Sequence, residues 1–168
     1  MTPAILLLAA VTLERLSELW LARRNTTALL AKGAYEVAPG HYPLIILLHT
    51  LWLVGLWALG WAAPLILGWL AVFLALQITR FWVMATLGGR WTTRIIVLPG
   101  APLVTGGPYR FVTHPNYLVV IGEIAVLPLC LGLPWYALVF SVANLLVLGI
   151  RVRAENATFA HAGEIEHH

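Results

Sequence analysis

Five long apolar runs alternate with polar breaks along this chain, at about 3–22, 43–61, 64–87, 117–131 and 134–150. A hydrocarbon core takes roughly 20 apolar residues of helix to cross, so four of these runs are long enough and the run at 117–131 is short. The pattern predicts an all-α integral membrane bundle of about five transmembrane helices. Only 62–63 separate the second and third runs, and only 132–133 the fourth and fifth, so each pair is expected to form a tight helical hairpin. The long connections lie elsewhere, at about 23–42 and 88–116, and a polar tail follows Ile150. No internal repeat or Gly/Ser linker divides the 168 residues, which read as one domain, 1–168.

Composition strengthens this reading. With 61% hydrophobic and 10% charged residues the chain is far more apolar than soluble domains are. Eight Trp and five Tyr suit the boundary between lipid and water, where an amphipathic ring meets both phases. The formal charge of +3 is small and scattered, which argues against a nucleic-acid partner. Cys130 stands alone inside an apolar run and supports neither a disulfide framework nor a cysteine metal site.

The placement of basic residues orients the bundle, because short cytoplasmic loops retain Lys and Arg. Arg23, Arg24 and Lys32 fall in the first long loop, Arg90, Arg94 and Arg110 in the second, and Arg151 and Arg153 open the tail, while both short turns have none. The N-terminus is therefore expected outside, and the C-terminus in the cytoplasm. A signal peptide is the other reading of the first run, but that run lacks a basic start and carries Glu14, Arg15 and Glu18. Glu14 and Glu18 share a helix face; either they point into the bundle or they sit near the membrane edge paired with Arg15 or Arg23.

The second long loop concentrates the candidate chemistry. Gly106 and Gly107 allow positive φ, while Pro99, Pro102, Pro108 and Pro115 fix φ and deny a long helix, so the loop is expected to be stiff and shaped. It is either an ordinary interfacial loop or one whose backbone groups cradle a polar ligand at the membrane edge. His114 precedes Pro115, which restricts its backbone and starts the next helix; its imidazole can exchange protons near neutral pH or serve a structural role. No Cys, Asp or second His stands at ligand spacing from His114, so no metal is expected. Glu123 has no neighbouring base in sequence and is expected to face the interior, hydrogen-bonded, to orient a substrate or to pair structurally. Arg151 and Glu155, four apart, share a helix face and form either an ion pair or the two ends of a site for a zwitterion.

Three blocks in order, Leu103-Val104-Thr105-Gly106-Gly107-Pro108-Tyr109, then His114-Pro115-Asn116-Tyr117, then Arg151 with Glu155, resemble the isoprenylcysteine carboxyl methyltransferase family over about the last half of the chain. Glu14-Arg15, Arg23-Arg24-Asn25 and Arg90-Trp91-Thr92-Thr93 are similar to a small bacterial branch of it linked with long-chain polyketide lipids. The resemblance implies a compact helical enzyme of the bacterial inner membrane that transfers a methyl group from S-adenosyl-L-methionine to an oxygen of a lipophilic small-molecule or prenylated acceptor. That acceptor is an isoprenylcysteine-type carboxylate or a long-chain phenolic or pyrone lipid, reached among membrane lipids. By position, the resemblance gives cofactor contacts to Leu103, Val104, Tyr109, His114, Pro115, Asn116, Tyr117 and Glu155, within about 90–160. It turns Arg151 toward the acceptor. Two positions depart from the family pattern: Thr113 replaces a common Arg, and Asn156 follows Glu155 where a second acid often stands. A carboxylate acceptor needs no base, whereas a phenol with a pKa near ~10 favours one, for which His114 and Glu155 are the candidates. Two alternatives stand beside this reading. An NADPH-dependent membrane sterol or enone reductase can carry a similar His-Pro-Asn-Tyr element, and a non-enzymatic membrane protein would bind neither nucleotide-derived ligand.

Overall fold

The computed structural model describes residues 2–37 and 39–165. Five α-helices carry the fold: α1 Pro3–Leu30, α2 Tyr42–Gly60, α3 Leu67–Leu87, α4 Pro115–Cys130 and α5 Pro134–Ile165. Three helical stretches, Tyr42–Gly60, Leu67–Arg90 and Pro134–Arg153, are long and apolar enough to cross a membrane, and Pro115–Cys130 is a shorter apolar helix. This is the make-up of an integral membrane protein. Its outward surface agrees, since Leu13, Ile78, Val139 and Leu146 stand exposed on α1, α3 and α5.

The first helix outruns its apolar stretch. Thr2 caps it by accepting from the Ile5 amide at 3.3 Å, with Pro3 opening the first turn. No Gly or Pro interrupts residues 23–30, so the helix continues two turns beyond the expected end and carries Arg23, Arg24 and Asn25 out of the apolar zone. There Asn25, itself buried, donates from Nδ2 to the carbonyls of Gly88 at 3.2 Å and Trp91 at 2.8 Å. These bonds fasten the end of α1 to the start of the second long loop.

The hairpins differ in tightness. The α4–α5 turn is short, and the Leu133 amide reaches back to the Pro128 carbonyl at 2.9 Å. Between α2 and α3 the chain stays irregular through 61–66, because Pro64 delays the helix, and the Ile66 amide bonds to the Cys130 carbonyl at 2.9 Å. The core gathers Leu8, Trp52, Leu56, Phe73, Ile124 and Leu127 from α1 to α4, and the Trp52 indole N–H donates to the Ile124 carbonyl at 3.3 Å. On α2, Gly55 leaves room for the ring of Tyr136, whose hydroxyl donates to the carbonyls of Trp52 at 2.9 Å and Leu51 at 3.1 Å. α4 packs against both α3 and α5.

One element was absent from the sequence reading. Tyr35–Glu36 (β1) pairs antiparallel with Ile96–Val97 (β2), Tyr35 opposite Val97 and Glu36 opposite Ile96. Two-residue strands leave no periodic trace. The Glu36 carboxylate accepts from Arg94 at 2.7 Å and holds that guanidinium above its ordinary range. The ladder brings the two long loops together at one end of the bundle, where α1 and α3 end and α2 and α4 start.

Candidate functional site

A cavity of about 340 Å³ opens at that end. Its mouth is built by Tyr42, Thr92, Thr93, Asn116, Tyr117 and Arg151. Helical spacing extends its walls inward: Ile45, Ile46, His49 and Leu53 follow Tyr42 along one stripe of α2, and Leu148, Val147 and Asn144 precede Arg151 along one stripe of α5. Seven residues from Arg151 to Asn144 correspond to about 10 Å of depth. Arg15, Glu18, Trp52 and Arg80 line the deeper part.

The mouth is held by Arg151. Its Nε donates to the Tyr117 hydroxyl at 3.0 Å and its Nη1 to the Thr93 carbonyl at 2.9 Å, with the guanidinium 5.4 Å from the Tyr117 ring centroid. Tyr117 stacks in turn on His114, centroids 4.9 Å apart and planes 14° off parallel. Across the mouth the Tyr42 hydroxyl and Thr93 Oγ1 lie 2.9 Å apart. One guanidinium thus ties the middle of α5 to the start of α4 and to the segment that Asn25 anchors from α1.

Beneath lies a buried ion network. Arg80 on α3 donates from Nη2 to Glu18 Oε2 at 2.5 Å, from Nε to Glu18 Oε1, and from Nη1 to Glu123 Oε2 at 3.0 Å. Arg15 reaches Glu18 at 2.9 Å, Glu123 at 3.0 Å and Glu14 at 3.8 Å, and Gln77 donates to Glu123 Oε1 at 3.1 Å. Both readings of the acidic pair on α1 meet here, for Glu18 points inward and also pairs with Arg15. Glu123 faces the interior and is hydrogen-bonded, its bases supplied from other helices. Arg80 was overlooked in the sequence, although a lone charge inside the third apolar run is itself a signal, since such a charge needs a partner in the bundle.

Among the described residues, Trp91 Nε1, Asn144 Nδ2 and Asn116 Oδ1 on the cavity wall have no hydrogen-bond partner. Trp91 is 2% exposed and Asn144 4%. A buried polar group left unpaired costs about 1–3 kcal/mol, so these atoms give the cavity wall hydrogen-bonding capacity that a polar ligand can use. Trp91 stands in a run that the family resemblance marks, without a role attached, and Asn144 carries no distinguishing signal in sequence.

The remaining sequence candidates divide. Asn116, Tyr117 and Arg151 line the cavity, and His114 touches it through Tyr117. Leu103 is 84% exposed on the loop, while Val104 and Tyr109 are half-buried; none of the three lines the cavity. Pro115 is buried and faces a separate shallow depression with Leu76, Pro108 and Val119. The Glu155 side chain, and with it the expected pairing to Arg151, lies outside the described residues. Gly107 takes positive φ, +55°, backed against Thr86, whereas Gly106 at −84° does not need its freedom. Arg90 pins the loop by donating to the Pro102 carbonyl at 2.5 Å. Among the described residues, no group of three His, Cys, Asp or Glu side chains could hold a metal ion.

Comparison with known proteins places this site in context. A family model described as Isoprenylcysteine carboxyl methyltransferase (ICMT) family matches residues 69–161, a segment running from the start of α3 through the loop to Arg151 and beyond. A Bacillus subtilis (strain 168) protein, described as Uncharacterized protein YpbQ, is 39% identical over 164 residues, covering 90% of this chain and 93% of its own length. A Haemophilus influenzae protein, described as Uncharacterized protein, is 26% identical over 160 residues, covering 91% of this chain and 92% of its own. No solved structure matches the chain.

Proposed function

The chain belongs to the isoprenylcysteine carboxyl methyltransferase family, and from that premise we propose that it is an S-adenosyl-L-methionine-dependent O-methyltransferase acting on a lipid-like acceptor. The observation that carries this reading is the two-part cavity: a polar mouth with unpaired hydrogen-bonding atoms, continuous with walls of Ile45, Ile46, Leu53, Val147 and Leu148. A zwitterionic nucleoside needs both donors and acceptors, and a long acyl or prenyl chain needs an apolar wall. The residues fit the cofactor. Trp91 Nε1 offers a buried donor and Asn116 Oδ1 a buried acceptor, each without a partner among the described residues.

When bound, the cofactor supplies an electrophilic methyl group. Trp91, Asn116 and Tyr117 hold its polar parts at the mouth; the family resemblance adds Glu155 from α5 and, from the loop, Leu103, Val104, Tyr109, His114 and Pro115, which stand outside the cavity lining and reach the cofactor in this proposal only where it extends over the loop. Arg151, already fixed to Tyr117 and Thr93, faces the acceptor and, where that acceptor is a carboxylate, orients its oxygen. The apolar walls strip water from that oxygen, and positioning supplies much of the rate. The acceptor is an isoprenylcysteine-type carboxylate or a long-chain phenolic or pyrone lipid.

The same proposal places five helices across a bacterial inner membrane, with the N-terminus outside and the mouth in the cytoplasm. Supporting it, Arg23, Arg24, Lys32, Arg90, Arg94, Arg110, Arg151 and Arg153 all fall on segments at the loop end of the bundle. The test is methyl transfer from labelled S-adenosylmethionine into a bacterial lipid extract, followed by mass spectrometry. A lipid that gains one methyl group with the wild-type protein but not with Arg151→Ala supports the reading; no methylated lipid with the wild-type protein contradicts it.

A further inference from the structure

We infer that His49 is the group that takes the proton from a hydroxyl acceptor in the cavity, a role that rests on the methyl-transfer reading. His49 lines the cavity from α2, and its Nδ1 lies 2.9 Å from the Ile45 carbonyl one turn earlier. A carbonyl oxygen only accepts, so Nδ1 carries the hydrogen and the lone pair of the neutral ring sits on Nε2. Among the described residues nothing bonds to Nε2. The bond to Ile45 therefore fixes both tautomer and ring orientation, and leaves the basic nitrogen free.

The other titratable groups facing the cavity are engaged. From α1, Glu18 is held by Arg15 and Arg80; from α4, Tyr117 accepts from Arg151 of α5; Tyr42 is bonded to Thr93. His114, the base candidate from sequence, does not line the cavity. His49 stands seven residues past Tyr42 on α2, and Asn144 seven residues before Arg151 on α5, so each lies about 10 Å below the mouth. At that depth Asn144 presents an unpaired Nδ2 donor that can steady the same oxygen.

In this step the acceptor O–H proton passes to His49 Nε2 while the acceptor oxygen bonds to the methyl carbon. The carbon–sulfur electron pair stays on sulfur, so the positive charge of the sulfonium is replaced by that of the imidazolium, which returns its proton to water. A carboxylate acceptor has no such proton to give, and His49 thus favours a phenolic or enolic lipid.

The test uses a long-chain 4-nitrophenol, whose absorbance reports its own ionisation, bound to the purified full-length protein without cofactor. Wild-type protein is expected to hold a clearly larger ionised fraction at neutral pH than detergent micelles alone do. His49→Asn, which keeps an N–H donor toward Ile45, and His49→Gln are expected to lose that excess. Methylation of a long-chain alkylphenol should fall about 100-fold or more in both variants. Ionisation in wild-type protein no greater than in micelles, or equal in wild type and both variants, overturns the role of His49. If S-adenosylhomocysteine binds and wild-type methylation of the alkylphenol proceeds, that failure leaves the methyl-transfer reading standing; if neither occurs, the reading itself has failed.

Discussion

Arg80 clasps Glu18 with two donors, Nη2 standing 2.5 Å from Oε2, and so joins α3 to α1 beneath the cavity, while its Nη1 reaches Glu123 on α4 at 3.0 Å. With Arg80 6% exposed and Glu18 5%, the pair is removed from solvent. Removing one side strands buried carboxylates, so Arg80→Leu is expected to destabilise the folded protein by about 3–5 kcal/mol. Arg80→Lys, a single point charge that cannot bridge both acids, should fall between. Denaturant unfolding in detergent checks this, and a loss below ~1 kcal/mol for Arg80→Leu would mean that the network contributes little to the bundle.

Trp91 separates stability from binding. Its buried indole N–H has no partner among the described residues, so Trp91→Phe removes a desolvated donor at little packing cost and is expected to leave the resting protein as stable or more so. The same change should weaken S-adenosylhomocysteine binding about 10-fold or more, the equivalent of ~1.4 kcal/mol or above. Thermal unfolding and a binding isotherm on one preparation decide the matter. A destabilised variant with undiminished binding would assign the indole a structural role.

Tyr117 tests the mouth. Tyr117→Phe keeps the ring that stacks on His114 but removes the hydroxyl that accepts from Arg151, which then loses one of its two fixed contacts. A hydrogen bond to a charged group contributes ~1.5–3 kcal/mol, less where water reaches it, so kcat/KM for methyl transfer is expected to drop about 10-fold. Arg151→Lys, which cannot reproduce the two-directional hold, should cost more. Steady-state kinetics with a responsive lipid acceptor measure both.

Gly55 tests the packing of α2 on α5. A methyl group there collides with the Tyr136 ring, which is tethered by its hydroxyl to the Leu51 and Trp52 carbonyls. Gly55→Ala is expected to cost about 1–3 kcal/mol, and much less in a Tyr136→Ala background, since the two changes share one space. Additive losses would show that the contact is not the cause.

The helices were largely legible because a membrane core imposes a length on every apolar run: α2 and α3 begin and end within a few residues of their runs, and α5 begins with its run but continues through the polar tail to Ile165. α1 was read eight residues short, because helix formation does not stop where hydrophobicity does. The site was half legible. Asn116, Tyr117 and Arg151 stand in blocks that a family resemblance marks, and they meet at the mouth. Arg80, Trp91, Asn144 and His49 come together only through packing of α2, α3 and α5 with the loop, and no spacing along the chain records that. The contacts of Arg151 with Thr93 and Tyr117 left no trace for the same reason, since these partners are 58 and 34 residues away.

The most direct measurement is calorimetric titration of the detergent-purified protein with S-adenosylhomocysteine and, separately, with NADPH. A methyltransferase site predicts saturable one-to-one binding of S-adenosylhomocysteine, weakened about 10-fold or more by Asn116→Ala, and no binding of NADPH. Saturable NADPH binding, or no heat with S-adenosylhomocysteine from a folded protein, would contradict it.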